Sequence, residues 1–167
     1  MVALRLARAV TGRNKIALFA GAYHGTFDGV LAVSEEGSTF PMGPGTTQGM
    51  IEDVLVLNYG TSEALDAIHS HGHELAAVLV EPVQSRRPGF QPKEFLRELR
   101  KRTLETGTAL IFDEVITGFR THPGGAQAWF GLKADMVTYG KVVGGGLPMS
   151  IVAGKAHYLD AIDGGMW

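Results

Sequence analysis

A lysine beside a glycine-rich loop is the side chain in this sequence that is best suited to covalent chemistry. Lys141 follows the apolar run Met136–Tyr139 and precedes three consecutive glycines at positions 144 to 146. Such a loop carries few side chains, so a flat ligand could approach an amine that is held where water is scarce. Desolvation disfavours the ammonium form, and a neutral amine condenses with aldehydes. The alternative is a surface lysine beside a flexible turn.

An acidic residue ends a second apolar run. The run from Ala109 to Phe112 is too short for a helix and is typical of a buried strand, and Asp113 follows it directly. Ligands of open parallel sheets bind at the carboxyl ends of the strands, where Lys141 is also expected. An amine and a carboxylate in one crevice suit a pyridine-based aldehyde cofactor, which needs the amine for a Schiff base and the anion to keep its ring nitrogen protonated. Alternatively, Asp113 caps a helix or forms a structural ion pair.

An aromatic residue lies just beyond the first predicted strand. Residues Lys15 to Phe19 are predicted to form this strand, and glycines at positions 21 and 25 mark a loop that carries Tyr23 and His24. The ring of Tyr23 could stack on a planar ligand. The alternative is a core tyrosine whose hydroxyl is hydrogen-bonded.

Together these segments resemble the class III (fold type I) pyridoxal-phosphate aminotransferases. The resemblance rests on Tyr23-His24-Gly25, Glu81-Pro82-Val83, the run from Asp113 to Arg120, and Gly140-Lys141 with the glycines that follow. It implies that Lys141 bonds covalently to pyridoxal 5'-phosphate and that Asp113 contacts the pyridine nitrogen. It also implies that Tyr23 or His24 covers one face of the ring and Val115 the other. The implied fold is α/β, with three layers and a mostly parallel central sheet, and corresponds to an incomplete large domain of this family.

Two details of the resemblance concern the substrate. Ile116 stands where the ornithine-type branch has a glutamine that contacts the ring hydroxyl, and the chain is most similar to the glutamate-1-semialdehyde aminotransferases (aminomutases). Residues 81–88 resemble aminotransferase domains of polyketide synthases and nonribosomal peptide synthetases, which implies a keto group on a carrier-tethered acyl chain as the acceptor. Arg86 and Arg87 would suit an anionic substrate or carrier, or are ordinary exposed arginines.

The resemblance also concerns segments that this sequence lacks. The family's Ser-Gly-Thr/Ala-Glu-Ala phosphate-binding turn precedes the part that is similar to Met1 onward, and the family adds an N-terminal segment, a small C-terminal domain and a threonine from the partner subunit. These features imply a homodimer in the full-length form, and weak cofactor binding with little turnover by residues 1–167 alone. The alternative is a non-catalytic interaction or assembly module derived from such an enzyme.

Composition limits the class of protein. A length of 167 residues with 45% hydrophobic residues suits one domain, and a net charge of −2 gives no indication of nucleic acid or an acidic membrane as a partner. We therefore expect small-molecule partners, namely an amino donor and a keto or aldehyde acceptor, in a cytoplasmic protein. No cysteine is present, and His69, His71 and His73 fall at a predicted helix end without a completing ligand set, so we expect no metal.

Helical and strand patterns alternate along the chain, which favours a parallel sheet covered by helices. Helices are predicted from about Met1 to Val10, from Thr61 to about Ser70, between Pro92 and Gly107, and near the C-terminus towards Trp167. Further strands are predicted at Asp53–Tyr59, Ala76–Val80 and Ser150–Gly154. The stretch from Glu36 to Met50 is rich in Gly, Pro and Thr and is predicted to be a long loop.

Overall fold

The structure is a computed structural model that describes residues 1–35 and 37–162. Its centre is a six-stranded sheet, with a separate two-stranded hairpin beside it. The sheet is formed by β1 (Lys15–Phe19), β4 (Val54–Leu57), β5 (Leu75–Val80), β6 (Ala109–Asp113), β7 (Met136–Tyr139) and β8 (Ile151–Gly154) in the order β4-β1-β5-β6-β7-β8, and the hairpin by β2 (Ala32–Glu35) and β3 (Ser38–Pro41). All neighbouring strands of the sheet are parallel except β7 and β8, which are antiparallel.

Helices cover both faces of the sheet. They are α1 (Val2–Thr11), α2 (Gln48–Ile51), α3 (Ser62–Ser70), α4 (Lys93–Thr106), α5 (Gly125–Phe130) and α6 (Ala156–Leu159). Successive side chains of a strand point to opposite faces, so the apolar strands supply two cores. In β6, Ile111 packs with the buried side chains of α1, whereas Leu110 packs with those of α3 and α4. The predicted three-layer α/β fold with a mostly parallel sheet is therefore confirmed.

The ends of the helices follow from local sequence. The side-chain hydroxyl of Thr61 accepts a hydrogen bond from the backbone N–H of Ala64 at the start of α3, as the sequence predicts. Helix α4 lies between Pro92 and Gly107, the two residues that were expected to frame it. Among the described residues, no helix is both long and apolar enough to cross a membrane.

Two sequence predictions are corrected or limited. The predicted loop from Glu36 to Met50 contains β3, whose residues pair with β2, and the start of α2. Strand β3 has alternating half-buried and exposed residues and depends on β2 for its hydrogen bonds, so its own sequence gave little indication of it. Glu36 and the end of the predicted C-terminal helix, residues 163–167, lie outside the described residues.

Candidate active site

The sheet brings the predicted amine and carboxylate to the same edge. Asp113 is the last residue of β6 and lies opposite Thr138 of β7, and Lys141 follows the carboxyl end of β7 by two residues. Both side chains line one cavity of about 380 Å³, which we call the first cavity. Tyr23, His24 and Val115 also line it, so the five residues selected from the sequence meet in one place.

Three hydrogen-bonding groups surround the carboxylate of Asp113. Its Oδ2 lies 2.7 Å from Nδ1 of His24, and its Oδ1 accepts from the backbone N–H of Val115 at 3.2 Å and from the hydroxyl of Thr138 at 3.4 Å. The side chains of Asp113 and His24 are only 11% and 4% exposed. Asp113 is therefore fixed in orientation and caps none of the described helices, whereas its contact with His24 has the geometry of an ion pair when the imidazole is protonated.

His24 has a more specific position than the sequence could give. Its Nε2 is buried and has no hydrogen-bond partner among the described residues, whereas its Nδ1 faces Asp113. The imidazole thus fixes the carboxylate from one side. Sequence reasoning considered His24 only as a cover for a ring face, because nothing local indicates a contact between residues 89 positions apart.

The loop that carries Tyr23 is hydrogen-bonded to the loop after β5 through the buried carboxylate of Glu81. The backbone N–H of Tyr23 donates to Oε2 of Glu81 at 3.0 Å, and that of Ser85 donates to Oε1 at 3.3 Å. Glu81 itself is 4% exposed. Gln84 forms a second hydrogen bond between the two loops, because its Nε2 donates to the carbonyl of Ala20 at 2.9 Å. The loops after β1 and β5 are therefore held together, while Tyr23 remains 48% exposed beside the cavity.

Lys141 begins a short 3-10 helix, residues 141–144, and has an unusual backbone conformation. Its φ is 48°, in the left-handed region that a lysine rarely adopts. Such strain is found most often where function requires a side chain in a defined place. Lys141 is exposed, so the expectation of an amine held where water is scarce is not met by the described residues, and its amine makes no hydrogen bond or ion pair with any of them. A Cβ added to the preceding Gly140 would lie 3.3 Å from Cγ1 of Val115, so the backbone passes close to the side chain that lines the cavity.

Glu114 is a structural residue of the site that the sequence analysis did not single out. It is fully buried and accepts hydrogen bonds from the backbone N–H groups of Ala126 at 2.5 Å and Gln127 at 3.2 Å, and from the hydroxyl of Thr117 at 3.1 Å. It thereby anchors the turn that carries Val115 to the start of α5. Burial, together with the charge of Glu114, raises the pKa of Tyr139 on β7. No local pattern around Glu114 indicates these partners.

The remaining candidates lie outside this cluster of buried groups. Arg86 and Arg87 are exposed, and the guanidinium carbon of Arg87 lies 4.7 Å from the centroid of the Phe90 ring. His71 and His73 have nitrogen atoms 3.3 and 3.6 Å from Oε1 of Glu74. In the described part of the chain, no group of three or more His, Cys, Asp or Glu residues could hold a metal ion.

The comparisons with known proteins define the family. Residues 1–166 match the family Aminotransferase class-III, so the chain belongs to the class III aminotransferases. The chain is 48% identical over 167 residues to a glutamate-1-semialdehyde 2,1-aminomutase of Thermomicrobium roseum, covering 97% of this chain and 39% of the relative. It is 47% identical over 169 residues to an aminomutase of the same name from Clostridium novyi, with the same coverage of 97% and 39%.

Solved structures agree with this membership. An omega-transaminase from Sphaerobacter thermophilus superimposes with a TM-score of 0.86 and 37% identity, covering 94% of this chain and 38% of that chain. A glutamate-1-semialdehyde aminomutase from Pseudomonas aeruginosa PAO1 in complex with PMP gives a TM-score of 0.79 and 28% identity, covering 98% and 36%. A transaminase with PLP bound gives 0.83 and 36%, covering 94% and 38%. The chain thus spans about two fifths of the length of the relatives it matches.

Proposed function

We propose that the chain belongs to a pyridoxal 5'-phosphate-dependent enzyme that transfers an amino group to a keto or aldehyde substrate, of the glutamate-1-semialdehyde aminotransferase or aminomutase type. The observation that carries the proposal is the placement of Lys141 and Asp113 at the carboxyl ends of adjacent strands, around one cavity. Family membership and the high identity to two aminomutases support the same reaction class.

The residues of the first cavity fit this cofactor chemically. Pyridoxal phosphate supplies an aldehyde and a pyridine ring that accepts electron density when its nitrogen is protonated. Asp113 offers a mostly buried, oriented carboxylate for the ring nitrogen. Lys141 offers an amine without a competing partner among the described residues. Val115 and Tyr23 supply apolar and aromatic surfaces that can cover the two faces of a flat ring. His24 also lines this cavity, and its buried Nε2 lacks a partner in the described ranges.

Each side chain then has a distinct task. Lys141 would hold the cofactor through its amine, and with a substrate bound its Nζ would be placed to take the proton from the substrate α-carbon. Asp113 would keep the ring nitrogen protonated when the cofactor is bound, through a charge-assisted hydrogen bond. His24 orients Asp113 through the 2.7 Å contact between Nδ1 and Oδ2. The side chain of Ile116, which lines the cavity, has no group that could hydrogen-bond to a ring hydroxyl.

Two further parts of the proposal concern affinity and partners. The charged side chains of the first cavity are Glu81, Asp113 and Lys141. The two carboxylates would repel a phosphate group, and Lys141 is already assigned to the aldehyde of the cofactor. Residues 1–167 alone should therefore bind the cofactor weakly and turn over little. The full-length protein is proposed to be a homodimer, and the exposed Arg86 and Arg87 are consistent with an acceptor that is tethered to an acidic carrier protein.

The test is to titrate the full-length protein with pyridoxal phosphate and to record its visible absorbance spectrum. We expect an absorbance band from the lysine–aldehyde linkage in the wild type and in Lys133→Ala, since Lys133 is exposed and does not line the first cavity. The band should disappear in Lys141→Ala. A band that persists in Lys141→Ala would refute the assignment. A protein that binds no cofactor in any form would favour a non-catalytic assembly module instead.

A further inference from the structure

The segment that carries Lys141 and the turn after β6 pack against each other through two glycines. Tyr139 lies so close to Gly118 of this turn that a Cβ on the glycine would be 2.5 Å from Cδ1 of the tyrosine ring. In the opposite direction, Val115 of the turn approaches Gly140, where a Cβ would be 3.3 Å from its Cγ1. Each segment therefore presents a glycine to a side chain of the other, and we call these the two glycine contacts.

Tyr139 is also next to both strained residues of the described part of the chain. The non-glycine residues with a left-handed φ there are Phe119, at 60°, and Lys141, at 48°. The ring of Phe119 packs on that of Tyr139, with centroids 5.2 Å apart and an interplanar angle of 49°, and Lys141 follows Tyr139 by two residues. Residues other than glycine keep this conformation only where their surroundings fix it. One aromatic ring thus joins the two strained backbones.

The hydrogen bonds of the backbone do not fix the position of Lys141 by themselves. Pairing of β7 with β8 ends where Tyr139 lies opposite Ile151. Beyond that pair, the N–H of Val143 donates to the carbonyl of Gly140 at 3.3 Å and the N–H of Gly145 donates to that of Val142 at 3.1 Å. These bonds lie within the segment, so they shape it without placing it relative to β6. The two glycine contacts and the Phe119 ring supply that placement.

We propose that Tyr139 is a positioning residue, whose ring holds the left-handed backbone of Lys141 in place relative to Asp113 and Val115. The ring is the part that contacts Gly118 and Phe119, so the hydroxyl group is not required. The inference rests on the proposed function only for the task of the Lys141 amine, because the packing itself exists without a cofactor.

Backbone hydrogen exchange tests the packing in the full-length protein without cofactor. Tyr139→Ala should raise the exchange rates of residues 141–145 at least about tenfold, because the segment is then held only by its own hydrogen bonds. Tyr139→Phe keeps the ring and should exchange as the wild type does. Phe119→Ala removes a ring from a residue that is 51% exposed, so the protein should fold, and the same rates should rise by a smaller factor. This variant decides the matter if Tyr139→Ala does not fold.

Phe90 offers a matched control. A Cβ on Gly60 would lie 2.6 Å from Cζ of Phe90, so this ring also packs against a glycine. Phe90 and Tyr139 are both partly buried against the same core, but Phe90 does not line the first cavity. Phe90→Ala should therefore destabilise the protein and leave the exchange of residues 141–145 unchanged. Unchanged rates in Tyr139→Ala, or a rise that is equal in Phe90→Ala or in the buried strand β5, would overturn the proposal.

The rate of cofactor attachment tests whether the packing matters for the amine. The proteins are incubated with pyridoxal phosphate for increasing times and reduced with borohydride, and the labelled peptides are quantified by mass spectrometry. Attachment at Lys141 should be at least about tenfold slower in Tyr139→Ala than in Tyr139→Phe or Phe90→Ala, because a small misplacement of a reacting group has a large effect on its rate. An unchanged rate in Tyr139→Ala would overturn the positioning role. Attachment away from Lys141 in the wild type would instead refute the proposed function, and the exchange rates would still decide the packing.

Discussion

Replacing Gly125 with alanine is expected to test how the buried carboxylate of Glu114 supports the site. Gly125 has a φ of 67°, and a Cβ there would lie 2.8 Å from Cδ of Glu114 and closer still to Oε2. The left-handed conformation costs an alanine about 1–2 kcal/mol. Displacing the carboxylate from one of its backbone N–H donors costs about 1.5–3 kcal/mol more, because the acceptor is charged. We therefore expect Gly125→Ala to lower the free energy of unfolding by about 2.5–5 kcal/mol.

Gly131, at the other end of α5, is a matched control. It has the same φ of 67°, but no atom lies within 4 Å of the position of an added Cβ. Gly131→Ala should therefore cost only the conformational term of about 1–2 kcal/mol. Urea-induced unfolding of both variants, measured side by side by circular dichroism, gives the two free energies. Equal losses for the two variants would contradict the role given to Glu114.

Two further predictions concern a buried ion pair and a helix cap. Burial alone would raise the pKa of Asp135, but hydrogen bonds from Arg100, Lys155 and a backbone N–H outweigh it and hold the pKa below its usual value. Asp135→Asn should therefore cost about 3–5 kcal/mol at neutral pH. A carboxyl group whose pKa is lower in the folded state stabilises the fold at pH values above its unfolded-state pKa. The difference in free energy of unfolding between wild type and Asp135→Asn should therefore shrink as the pH falls below 3.8. A difference that stays constant with pH would contradict this. Thr61→Ala should lower the free energy of unfolding, measured by thermal unfolding, by about 1 kcal/mol, because the cap bond to Ala64 is lost. Thr47→Ala, at the start of α2 where no side-chain cap bond forms, is the control and should cost little. Equal losses for the two variants would exclude a stabilising cap at Thr61.

The sequence was sufficient for the elements whose signals are local. Short apolar runs that end in a polar residue became β6 and β7, and the carboxyl-end rule for parallel sheets placed Asp113 and Lys141 on one edge. Helix α4 was predictable because Pro92 and Gly107 mark its ends. In each case, a few adjacent residues contain the whole signal.

Features that depend on distant residues could not be predicted in this way. Strand β3 is sparse in apolar residues and exists through its pairing with β2. The contact between His24 and Asp113, and the hydrogen bonds from α5 to Glu114, join segments that only the folded sheet brings together. The left-handed backbone conformation of Lys141 could not be predicted either, because that conformation is normally indicated by a glycine and not by a lysine.

Reduction with borohydride, followed by peptide mass spectrometry, tests the central claim most directly. The protein in its native length is incubated with pyridoxal phosphate and reduced, so that any lysine–aldehyde bond becomes permanent. We predict that the cofactor mass is found on the peptide that contains Lys141, and that Asp113→Asn leaves this site of attachment unchanged while slowing α-proton exchange of an amino-acid substrate. Attachment at Lys133 or Lys155 instead, or no attachment at all, would contradict the account.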